Sequence, residues 1–147
     1  MNEIAHTIQL AVAPVFVLTG IGGFLNVLTG RLARVIDRAR KLEERFIPEA
    51  GVEHDRMVGE LRVLDRRMTL VNAAIFLCTA SAVAICVLVA LLFLSDLAEL
   101  RYGRAIAVLF TASMALLIAG LITFLVEVRV ATRSLRVPPE LLERGPR

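Results

Sequence analysis

The sequence predicts an all-α membrane protein with three transmembrane helices, the first two extended into a cytoplasmic antiparallel helical hairpin. Three observations predict it. Apolar residues make up 57% of the chain, above the roughly 45–50% of ordinary soluble domains. The excess is gathered into three windows without a charged residue, Thr7 to Gly30, Met68 to Ser95 and Ala105 to Val126, of 24, 28 and 22 residues. At about 1.5 Å per residue each can cross a hydrocarbon core about 30 Å thick. Helices of a soluble bundle would carry charge on an outer face, and these windows carry none. Finally, the cations are segregated. Ten Arg and Lys lie between Arg31 and Arg67 and five follow Glu127, leaving Arg101 and Arg104 between the second and third windows. By the positive-inside rule this predicts a multi-pass membrane protein with its N-terminus outside and its C-terminus cytoplasmic.

The first window is preceded by Asn2, Glu3 and His6 rather than by cations, so it is expected to stay in the membrane as an anchor. Pro14 interrupts its hydrogen bonding and predicts a structural kink. Beyond Gly30 the helical pattern continues: Leu32, Val35, Ala39, Leu42 and Phe46 recur at spacings of three and four. Met57, Leu61, Leu64, Met68 and Val71 do the same and run on into the second window. Together they predict a hairpin over about 31–67, turning at Pro48 to Ala50. Residues whose numbers sum to about 98 then face one another, which pairs Arg45 with Glu53, Arg38 with Glu60, and Asn26 with Asn72.

A short external segment, Asp96 to Arg104, makes the second and third helices antiparallel neighbours, with Tyr102 as an interface anchor. The third helix is expected to continue past Glu127 toward Arg136, where Pro138 and Pro139 stop it. The organisation is thus one three-span domain over 1–137 and a short cytoplasmic tail over 138–147.

The stretch IQLAVAPVFVLTGIGGFLNVLTGRLARVIDRAR, Ile8 to Arg40, and LDRRMTLVNAAI, Leu64 to Ile75, resemble the bacterial membrane-protein family catalogued as domain of unknown function 2721. The resemblance implies a small polytopic bacterial membrane protein and carries no established activity onto any residue.

Several residues are candidates for a role. Thr19, Gly23, Asn26 and Gly30 share one face of the first helix. Small residues let backbones approach closely in lipid, so this face either packs on the other spans, where Ala112, Ala115, Ala119 and Thr123 offer a matching stripe, or lines a polar path in a homo-oligomer. Asn26 and Asn72 form a candidate intramembrane polar pair. Glu127 has Thr123, Phe124, Val130 and Ala131 at helical neighbour positions and no cation among them. Its counter-ion must come from another helix, and Arg31, Arg34 and Arg67 lie at its depth. Arg31, Arg34, Arg38, Lys41 and Arg45 make a basic stripe that attracts anionic lipid heads or, in a ring of subunits, forms a vestibule.

Catalysis is not expected. His6 and His54 fall on opposite sides of the membrane, and Cys78 and Cys86 are separated by about 12 Å of helical rise, too far for a disulfide. No phosphate-cradling glycine motif or metal-spaced cluster occurs, so no cofactor is expected. The ten loop cations are largely matched by eight acids, with Phe46 the single aromatic among them, which argues against nucleic acid. The partners expected are the bilayer and further copies or a larger membrane complex. The functions that fit are an oligomeric scaffold or accessory subunit and, as the alternative, a small homo-oligomeric ion channel with a basic cytoplasmic vestibule.

Overall fold

The structure is a computed structural model that describes residues 2–45, 51–97 and 103–134, with side chains over 5–45, 51–95 and 103–132. Within those bounds the chain is three helices: α1 (Asn2–Glu43), α2 (Val52–Leu97) and α3 (Gly103–Ser134). Phe46, the turn at 48–50, Tyr102 and the tail at 138–147 lie outside the described residues.

All three helices are long and apolar enough to cross a membrane. At about 1.5 Å per residue α1 and α2 far exceed a hydrocarbon core, with 42 and 46 residues. Their charged halves run on from the apolar halves without a break: neither half contains Pro, and the one Gly, Gly59, is accommodated within α2. Pro14 lies inside α1, buried on the face turned to the bundle. Large apolar side chains face outward on every helix, among them Phe16, Phe76, Val108 and Ile122. A soluble monomer rarely exposes such a surface; together with the charge-free windows it points to a multi-pass membrane protein.

Buried positions recur every seven residues. On α1 they are Thr7, Pro14, Ile21, Leu28 and Val35; on α2, Leu64, Val71, Cys78 and Ile85, interleaved with Ala74, Ser81 and Leu88; on α3, Ser113, Gly120 and Glu127. A seven-residue repeat keeps one seam facing its neighbours when helices pack at a shallow left-handed angle. Among the described residues α2 packs along both α1 and α3, whereas α1 and α3 keep their backbones apart and meet through side chains. Ile21, Leu28, Val71, Ala74, Cys78 and Ile85 form the main core, with Met114, Leu117 and Phe124 packed on it from α3. A second cluster, Val35, Ala39 and Leu64 with Met68, joins the polar ends of α1 and α2.

The closest backbone approach described for a glycine is at Gly120. A methyl group there would stand 2.8 Å from Cys78 Sγ and 3.4 Å from both the Ala74 carbonyl oxygen and Leu77 Cβ. About two helical turns back along α3, the Ser81 hydroxyl donates to the Ser113 carbonyl at 2.7 Å, and the Ser113 hydroxyl donates to the Phe110 carbonyl at 2.8 Å. Small residues on both helices allow α2 and α3 to meet closely, with their hydroxyls satisfied.

Candidate functional site: an arginine and glutamate junction at the polar end

Glu127 is the first charged residue after the α3 window, and the seven-residue repeat places it in the seam rather than on the outer surface. Its side chain is 0% exposed. Antiparallel packing of α1 and α2 brings Arg31, the first residue past the α1 window, level with Arg67, the last before the α2 window. Both reach the carboxylate. Arg31 Nη1 donates to Oε2 at 3.0 Å, and Arg67 Nε donates to Oε1 at 3.0 Å with Nη2 also at 3.0 Å from that oxygen. A carboxylate withdrawn from water is tolerable only with such compensation, and among the described residues no buried side-chain nitrogen or oxygen lacks a partner.

The aromatic residues one turn back reinforce the junction. The Arg31 guanidinium carbon lies 5.1 Å from the centre of the Phe124 ring, within cation–π range. Phe24 meets Phe124 edge to face, with centroids 5.2 Å apart at 89°, an arrangement favoured by the ring quadrupoles. One α3 side chain thus touches α1 twice.

Arg34 does not join the junction. It sits three residues further out on α1, where its Nε donates at 3.1 Å to the carbonyl of Gly30 on its own helix. Arg38 turns to α2 instead, donating to Glu60 Oε1 from Nε at 3.0 Å and Nη2 at 2.7 Å. Arg45 and Glu53 form no ion pair among the described residues. The basic stripe therefore divides: Arg31, Arg34 and Arg38 line a cavity of about 310 Å³ together with Arg67, while Lys41 and Arg45 are exposed beyond it. Val35, Leu64, Val128, Ala131 and Thr132 complete the lining, so all three helices contribute. No carboxylate is among its described lining residues. The sequence grouped Arg31, Arg34 and Arg67 around Glu127 and Arg31, Arg34 and Arg38 in one stripe but did not reveal the concavity they share, whose signal was Val128 and Ala131 continuing the apolar α3 face past Glu127.

Two expectations are corrected. Asn26 and Asn72 do not pair: both side chains are exposed, and no hydrogen bond joins them. The sum of 98 places them at one depth but not at one azimuth. Leu28 and Ala74 point into the bundle, and each asparagine precedes one of them by two residues, about 200° around the helix. The same rotation turns the whole Thr19, Gly23, Asn26 and Gly30 face outward, so it does not pack on α2 or α3 of its own chain. A methyl group added at Gly20, Gly22, Gly23 or Gly30 would meet nothing within 4 Å. Of the supposed matching stripe, Ala112 and Ala115 are exposed and only Ala119 and Thr123 are half-buried. The Thr19 hydroxyl is satisfied within α1, donating to Val15 at 3.2 Å, as Thr commonly does in membrane helices.

The chain belongs to the family described as protein of unknown function DUF2721, which matches residues 11–137. No curated protein and no solved structure matches it.

Proposed function

We propose, taking membership of that family as the premise, that the chain is an integral protein of a bacterial plasma membrane that acts as an oligomeric scaffold or accessory subunit of a membrane complex. Its N-terminus is outside, and the charged halves of α1 and α2 form a hairpin in the cytoplasm, the orientation favoured by the distribution of Arg and Lys. The observation that carries the assembly reading is the exposed amide of Asn26, set in a span among glycines at which an added methyl would meet nothing within 4 Å. A primary amide facing hydrocarbon is unfavourable until another polar group meets it. Small residues on either side let a second helix come close enough to supply one.

The test is the mass of the gently solubilised full chain. Native mass spectrometry should give multiples of 16.1 kDa, and Asn26→Leu should shift the distribution toward single chains. A lone chain at all concentrations, in several mild detergents, overturns the reading. The channel alternative draws on the same face, because it runs into the arginines at its polar end. In planar bilayers containing verified oligomer, currents altered by Asn26→Leu and Arg31→Glu would favour the channel, and silence would leave the scaffold.

A further inference from the structure

The cavity at the polar end has a charge balance that its ion pairs do not close. Four guanidiniums line it. Glu127 engages Arg31 and Arg67, and Glu60 engages Arg38, whereas Arg34 has only the Gly30 carbonyl. Four positive charges against two negative ones leave a surplus of two, in a recess whose two carboxylates stand outside the lining. Guanidinium is the side chain best suited to a phosphate, since its planar fork offers parallel N–H donors. The Nη groups of Arg34 have no carboxylate to turn to among the described residues.

The depth of the cavity fits the same chemistry. Arg34 lies four residues beyond the α1 window and Leu64 four before the α2 window, about 6 Å of helical rise past the apolar limit. The headgroup layer on each side of a bilayer occupies roughly 5–8 Å. Val35 and Leu64 are buried, and with Val128 they give the recess an apolar wall beside the arginines. Basic pockets between membrane helices at this level suit phosphorylated headgroups.

We propose that this three-helix recess is an anion site that takes a phosphoryl group, held by Arg34 and Arg38 and by the outer edges of Arg31 and Arg67. The apolar wall matches the glycerol end of an anionic phospholipid; a soluble phosphate shares the recognised group. The site needs only one chain, so it stands or falls separately from the oligomer.

The experiment uses the full chain in a neutral detergent, with phosphatidylglycerol, phosphatidylcholine or inorganic phosphate added. Thermal unfolding and lipid retention in native mass spectra are the readouts. Phosphatidylglycerol is expected to raise the unfolding midpoint and to be retained, and phosphatidylcholine is not. Arg34→Gln should weaken that binding about tenfold, the loss of a charge-assisted hydrogen-bond donor. It should not lower the midpoint without lipid, because Arg34 is exposed, has no ion pair to lose and is one of the surplus charges. Arg66→Gln, an exposed cation outside the cavity, should bind like the parent. Stabilisation by inorganic phosphate that is also lost in Arg34→Gln assigns the phosphoryl group alone; stabilisation by phosphatidylglycerol alone assigns the lipid headgroup. The proposal is overturned if neither ligand stabilises the parent, if phosphatidylcholine does so equally, or if Arg34→Gln and Arg66→Gln weaken binding alike.

Discussion

The two places where α3 is fastened work by opposite physics. At mid-span it meets α2 through a seam of small residues, Gly120 on Cys78 and Ser81 on the Ser113 carbonyl, in which each contact is weak and the backbones come close. At its polar end it meets α1 and α2 through one buried carboxylate shared by two arginines, with the backbone of α1 held away. The seam spreads its stabilisation over many atoms; the junction concentrates it in one residue. Damage at the junction should therefore be severe and hard to repair locally, and damage at the seam graded and repairable by a neighbour.

The largest effect is expected from Glu127→Ala, which leaves two arginines facing each other without a carboxylate. Breaking a buried ion pair from one side costs about 3–5 kcal/mol. Unfolding by sodium dodecyl sulfate in mixed micelles measures this, and Glu127→Ala unfolding like the parent would show that the junction contributes nothing. Next comes the seam. Gly120→Leu overpacks it, at about 1–3 kcal/mol. Gly120→Ala should cost less and be partly reversed by adding Cys78→Ala, which removes the sulfur 2.8 Å from the new methyl and leaves its other neighbours at 3.4 Å. Gly59→Ala, with nothing within 4 Å, should be neutral or slightly stabilising, since Ala is the better helix former. Equal effects at Gly120 and Gly59 would remove the distinction. The smallest effect belongs to Arg38→Gln, whose pair with Glu60 has both side chains exposed; about 0–1 kcal/mol is expected, and salt should diminish it further.

Much of the fold was legible because charge is so unevenly placed: windows lacking it mark the spans, and helix-spaced Leu32, Val35, Ala39 and Leu64, Met68, Val71 mark the ends that continue beyond. Glu127 was legible as a group needing partners from elsewhere, since no cation lies a turn away on α3. Azimuth inside the spans was not. An apolar helix gives no polar face to orient by, so the buried stripe Ile21, Leu28 could not be told from the exposed Val27, and the Asn26 and Asn72 expectation assumed the wrong side. Gly120 was overlooked for a related reason: a glycine-rich α1 drew attention by composition, although close approach depends on what stands opposite. Its sequence signal was the spacing of Ser113, Gly120 and Glu127 at sevens.

The shared carboxylate also imposes an order on the making of the protein. Synthesis runs from the N-terminus, so Arg31 is delivered first, Arg67 second and Glu127 last. In the finished structure both guanidiniums keep part of their surface open, 33% for Arg31 and 21% for Arg67, whereas the carboxylate keeps none. The group that most needs counter-charges is therefore made only after both of them exist. Arrival of the third span thus completes a neutralisation that the first two have prepared.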